Sequence, residues 1–173
     1  APCVMRSGDV FPKHLRTTLE AAHAHKGTSF VEIFQNCNIF NDGAWEPVKE
    51  NDVREDNLIR LVDGEPIIFG NNADKCVIRD SDGHLQVMDI ADVDQSQIIV
   101  FDSHAKDPGL AFGLSRLYNP RTLTNTPIGI FRDVTHREAY DRMAQQQVAD
   151  VIEAEGVGDL RALLHGNDTW TVN

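Results

Sequence analysis

The chain of 173 residues has little of several things. Lys and Arg are scarce, 16 against 27 Asp and Glu, so the formal net charge is −11. A surface this acidic repels phosphates rather than releasing their counterions, which excludes nucleic-acid binding by bulk electrostatics. Long apolar runs are missing, and nothing approaches the roughly 20 residues of a membrane helix. The opening APCVMRSGDV has neither the basic start nor the apolar run of a secretory leader. The expectation is therefore a cytoplasmic protein with no membrane and no nucleic-acid partner. The chain opens on Ala1, within what reads as a strand, and is expected to be a segment of a longer polypeptide.

Cysteine is also sparse. Cys3, Cys37 and Cys76 are odd in number, and their spacing matches no zinc or haem motif. A disulfide framework is not expected from so few in a cytoplasmic chain. Cys3 and Cys76, inside apolar stretches, read as small buried residues. Cys37 differs. It stands where the strand-like run Thr28 to Asn36 gives way to the turn formers Asn36, Asn38, Asn41, Asp42 and Gly43. Read locally, it is either one more packed thiol or a sulfur offered to a ligand.

Other signatures are lacking too. There is no G-x-G-x-x-G, no phosphate-binding P-loop and no G-x-S-x-G. His23 and His25 lie two apart on a predicted helix and point to different faces, so they do not clamp one metal. His104, between Asp102 and Asp107, reads as part of a helix start. His136 and His165 read as helix-end residues. The acidic groups Asp52, Glu55 and Asp56, and Asp89, Asp92 and Asp94, read as solvated.

What is present is an α/β pattern. Residues 1–6 read as a strand and Pro12 to Lys26 as a helix with Leu15, Leu19 and Ala22 on one face, closed by Gly27. Residues 28–36 read as a second strand. Together they predict a βαβ unit in a parallel sheet with a right-handed crossover. A polar loop follows to Asn57, with Trp45 as its anchor. Strand candidates Leu58–Val62, Pro66–Phe69, Cys76–Arg79, Leu85–Ile90 and Gln97–Phe101, with Asp63-Gly64 and Asp82-Gly83 between some of them, predict a small antiparallel meander. Further candidates are a helix Pro108–Tyr118, whose Gly109 and Gly113 suit tight packing, a strand Pro127–Phe131, a helix His136–Glu155, a short helix Asp159–His165 and a terminal piece Asp168–Val172. Trp170 is expected to dock on its own core.

Four stretches carry a resemblance: GTSFVEIFQNCNIFNDG from Gly27, REDNLIRL from Arg54, DPGLAFGLSRL from Asp107 and TPIGIFRDV from Thr126. In this order they resemble the β subunits of 2-oxoacid:ferredoxin oxidoreductases, the 2-oxoglutarate type more than the pyruvate type. The resemblance implies a thiamine-diphosphate-binding fold. Residues 1–40 would be its C-terminal βαβ part, and residues 41–173 a C-terminal extension with the small meander and helices. It also implies that Cys37 matches the fourth cysteine ligand of a [4Fe–4S] cluster. The thiamine–magnesium motif Gly-Asp-Gly…Asn and the other three cysteines are absent here. The segment alone is therefore expected to be inactive and to bind neither cofactor. In the intact subunit the implied reaction is oxidative decarboxylation of a 2-oxoacid to its acyl-coenzyme A, with electrons passing through the cluster. The implied partners are the α subunit, ferredoxin and the N-terminal half of the β subunit, with self-association where apolar surface is left open. The competing readings are a non-catalytic assembly module on the same fold and an unrelated globular α/β domain.

Overall fold

The structure is a computed structural model, and it describes residues 1–135, 137–170 and 172. It divides into two units, Ala1–Arg137 and Glu138–Asn173. In the first unit, strand β1 (Cys3–Gly8), helix α1 (Pro12–Ala24) and strand β2 (Ser29–Phe34) form the expected βαβ unit. β1 and β2 pair in parallel, from Cys3 opposite Ser29 to Gly8 opposite Phe34. Pro12 sits at the first helical position, where its missing N–H costs nothing.

Helix α1 is rotated from its predicted phase. Leu19 is exposed, while His14, Thr18 and His25 lie inward. Hydrogen bonds make this polar face tolerable. Ser7 Oγ and His14 Nδ1 are 2.8 Å apart, and the Thr18 hydroxyl donates to the His14 carbonyl at 2.9 Å. The helix also ends earlier than predicted. His25, with extended backbone, is its C-cap, and Gly27 lies beyond.

The loop to Asn57 contains two single-turn helices, α2 (Glu46–Lys49) and α3 (Arg54–Asn57). Next come β3 (Leu58–Leu61), β4 (Ile68–Phe69), β5 (Lys75–Arg79) and β6 (Leu85–Asp89). After them come helix α4 (Gly109–Ser115) and strand β7 (Thr126–Asp133). β4, β5 and β6 form the expected antiparallel sheet, and Asp82-Gly83 lies in the turn between β5 and β6. Two strand predictions are corrected. β3 does not join that meander. It leaves for the main sheet, whose order is β2-β1-β7-β3, where it runs parallel to β7. Asp63-Gly64 is consequently a turn, closed by the Glu65 N–H on the Val62 carbonyl at 3.2 Å, but one that joins strands of different sheets instead of a hairpin. Residues 97–101 make only isolated bridges, Ile98 to Ile78 and Val100 to Pro66.

The sheet is mixed because β7 lies antiparallel to β1. This arrangement makes β1 interior and buries both neighbours' inner edges. One core gathers Ile59, Leu61, Ile67, Phe69, Val77 and Phe101 with Leu114 and Phe131. A smaller one holds Val48, Leu58, Leu123 and Ile128. Gly113 on α4 packs as tightly as expected, since an added Cβ would lie 2.8 Å from Leu85 Cδ1.

In the second unit, α5 (Tyr140–Glu155) and α6 (Leu160–His165) are helical as expected, and Asp159 caps α6 through the N–H groups of Arg161 and Ala162. His165 ends α6 as expected, and the prediction for His136 lies outside the described residues. Trp170 is 83% exposed, not docked on a core, because this unit buries none of its described residues. No described helix is long and apolar enough to cross a membrane.

Gly129 sets the contact between β3 and β7. Its φ is +120°, and an added Cβ would stand 2.9 Å from the Leu61 carbonyl oxygen, a backbone atom with no rotamer to yield. Gly129→Ala is therefore expected to cost about 2 kcal/mol or more, measured as a lowered urea midpoint. Carboxyl groups of Glu55, Asp56, Asp63, Asp80 and Asp94 are all held below their ordinary range, Glu55 chiefly by Arg60 and the others by backbone N–H donors. Depressed carboxyls contribute stability above their unfolded pKa, about 4, and lose it as pH falls through the folded values. Thermal scans should show Tm level above pH 5 and falling steadily below pH 4.

Candidate functional site

The carboxyl ends of β1 and β2 are where a parallel pair opens a crevice, because the chain must leave the sheet there. Asp9 N–H donates to the Phe34 carbonyl at 3.0 Å, which closes the pairing. Three residues beyond Phe34 stands Cys37.

Its loop is built around Asn36. The Asn36 amide donates to Asn38 Oδ1 at 2.7 Å and to Asp42 Oδ1 at 2.8 Å, and its carbonyl oxygen accepts the Gly43 N–H at 3.0 Å. One side chain thus ties both ends of the turn. Asn41 N–H donates to the Cys37 carbonyl at 2.9 Å, and Gly43 takes a φ of +75° that suits glycine. Beyond it, Trp45 stacks on Phe34 with centroids 4.1 Å apart and planes at 18°. The predicted anchor is thus in place, on the last residue of β2.

Cys37 is half-buried, and its thiol is free. The N–H groups of Phe40 and Ile39, with a smaller contribution from Asn41, favour the thiolate and hold the thiol below its ordinary pKa. The side chains of those residues point outward: Ile39 is 84% and Phe40 88% exposed. A thiol whose backbone surroundings favour the thiolate has the chemistry of a soft-metal ligand. Cys3 and Cys76 are fully buried, as expected, and burial raises both thiols.

The remaining sequence-predicted residues do not gather here. His104 is not a helix-start cap, since α4 begins only at Gly109. Its Nδ1 bonds the Asp133 carbonyl oxygen, which raises its pKa, and Asp102 accepts its N–H at 2.8 Å. Asp107 is the residue beside the start of α4, accepting the Gly109 N–H at 3.2 Å. Glu55 pairs with Arg60 at 2.7 Å, and Asp56 accepts from Asn71. A cavity of about 330 Å³ lies between β7 and α4, lined by Val4, Phe112, Phe131 and Arg132 among others. The Arg132 guanidinium is taken up by the carbonyls of Ala105 and Lys106.

Two features were not expected from sequence. Arg6, on β1, is buried between the rings of Phe34, Tyr118 and Phe131, each 5.1–5.4 Å away, with Nε donating to Glu32 at 2.6 Å. It joins β1, β2 and β7 around one cation. The other is His25, buried at the opposite end of the sheet beside Cys3 and Asp133. The only sequence signal for it was the helical phase His14, Thr18, Ala21, His25, which the apolar pattern overrode.

Over an alignment of 175 residues covering the whole chain, it is 42% identical to the 2-oxoglutarate oxidoreductase subunit KorB of Mycobacterium tuberculosis. The chain spans about half, 46%, of the relative's length. No family model and no solved structure matches. The resemblance noted in the sequence thus extends over all of the chain, including the tail that carried no motif.

The three thiols should separate cleanly by chemistry. Iodoacetamide at pH 7 is expected to label Cys37 within minutes and to leave Cys3 and Cys76 untouched until denaturant is added, as read by peptide mass spectrometry. Asn36→Ala, which unties the turn, should slow Cys37 labelling by raising its pKa. Equal labelling of all three in the native chain would contradict the geometry.

Proposed function

We propose that this chain is part of the β subunit of a thiamine-dependent 2-oxoacid:ferredoxin oxidoreductase of the 2-oxoglutarate type. The observation that carries the reading is Cys37. A thiol at the carboxyl end of a parallel strand pair, favoured as thiolate by two backbone N–H groups, stands in a chain 42% identical to KorB. In this reading residues 1–40 are the C-terminal βαβ part of the thiamine-diphosphate-binding domain, and residues 41–173 form the subunit's C-terminal extension. The intact enzyme would assemble with an α subunit, pass electrons to ferredoxin and work in the cytoplasm.

Cys37 fits one ligand position of a [4Fe–4S] cluster. Cys37 is half-buried, its thiol is free, and nearby backbone N–H groups favour the thiolate. When bound, the cluster supplies one-electron transfer, and thiamine diphosphate the electron sink for decarboxylation. This chain's own residues do the holding. Asn36 fixes the turn that aims the sulfur. Backbone N–H groups of Phe40 and Ile39 hold its pKa down and so favour the thiolate. Trp45 on Phe34 fixes the loop to the strand. Arg6 keeps β1 and β2 together behind it.

The test is the intact, oxygen-free enzyme containing this chain, assayed for electron transfer from 2-oxoglutarate and coenzyme A to ferredoxin. Cys37→Ala should abolish the reduced cluster's electron paramagnetic resonance signal and lower turnover at least ~100-fold. A full cluster signal in that variant would overturn the ligand role. No 2-oxoacid turnover in an enzyme with its cluster intact would leave the assembly-module reading.

A further inference from the structure

The end of the sheet opposite Cys37 brings together a second set of metal-binding side chains. Cys3 begins β1, His25 caps α1 and Asp133 ends β7. Cys3 stands opposite Asp133 in the antiparallel register, and opposite Ser29 on its other side. A donor atom of each lies within 4.8 Å of the other two, the one such trio among the described residues. His25 Nδ1 is 2.7 Å from Asp133 Oδ1. The His25 side chain is fully buried, and its Nε2 finds no hydrogen-bond partner.

We propose that Cys3, His25 and Asp133 form a binding site for a divalent transition metal of the zinc class, separate from the Cys37 site. Donor chemistry supports it. Sulfur, nitrogen and carboxylate oxygen are the set that zinc takes, at about 2.3, 2.0 and 2.0–2.2 Å. Ligand atoms around one such ion stand roughly 3–4 Å apart. The trio brackets that spacing, with its donor atoms within 4.8 Å of one another and two of them 2.7 Å apart. Charge supports it as well. One thiolate, one carboxylate and a neutral imidazole just balance a divalent ion, so a buried complex carries no net charge. On binding, the ion displaces the Cys3 thiol proton to solvent, and nothing is oxidised or reduced.

The location supports a structural effect. The three ligands come from two neighbouring strands and the end of a helix, so an ion would tie α1's C-terminus to β1 and β7. Asp133 is a quarter exposed, which leaves a side from which the ion can enter and a water complete the coordination.

The probe is Co²⁺, then Zn²⁺, added to the full chain carrying Cys37→Ser so that the accessible thiol cannot answer. One Co²⁺ per chain is expected, with the near-ultraviolet thiolate-to-cobalt band, bleached when Zn²⁺ displaces it. Zn²⁺ should also raise Tm by about 5 °C at saturating concentration. Cys3→Ser should abolish the band, and Asp133→Asn should weaken binding about 10-fold or more. Circular dichroism establishes that each variant folds. If Cys3→Ser does not fold, Asp133→Asn, which alters a partly exposed group, decides. No band, a band that survives Cys3→Ser, or affinity unchanged in Asp133→Asn would each overturn the site and leave His25 and Asp133 as a hydrogen-bonded pair only.

Discussion

The parallel register of β1 on β2 is the constraint on which the rest depends. It sets Gly8 opposite Phe34, and it thereby decides where the chain leaves the sheet. Everything at the Cys37 end follows: Asn36 has a fixed strand end to tie, and Trp45 has a fixed ring to stack on. Arg6 reinforces the register from within, because its guanidinium is shared between Glu32 of β2, the Pro127 carbonyl of β7 and three aromatic faces. A buried arginine left without those partners is costly, so the pairing and the cation hold each other in place.

The two ends of the same strand pair then differ in kind. At the carboxyl end Cys37 is half-buried, and its backbone surroundings favour the thiolate. At the amino end the sulfur of Cys3 is sealed in, with a histidine and a carboxylate as company. Burial makes the second thiol inert toward reagents, while backbone N–H groups make the first a good thiolate. The contrast comes from loop geometry against strand interior, not from residue type.

Much of this was legible in the residues. The βαβ unit, the small antiparallel sheet, the tight packing of Gly113 and the distinctness of Cys37 all came from local pattern. What failed was long-range pairing. Leu58 to Leu61 looks like its neighbours in sequence, but it pairs with β7 more than 60 residues later, and no local signal carries that choice. The apolar pattern does not give the phase of α1, because hydrogen bonds let a polar face turn inward: Ser7 Oγ lies 2.8 Å from His14 Nδ1, and the Thr18 hydroxyl donates to the His14 carbonyl. No local signal marks His25, because its partner Asp133 lies 108 positions away.

The central claim is that the Cys37 sulfur is bonded to iron in the working enzyme. Differential labelling reads this directly. The oxygen-free intact enzyme is treated with iodoacetamide before and after its cluster is bleached by air and chelator, and the Cys37 peptide is quantified by mass spectrometry. The account predicts that Cys37 is protected while the cluster is present and labelled rapidly once it is gone. Equal labelling of Cys37 in both states would contradict it.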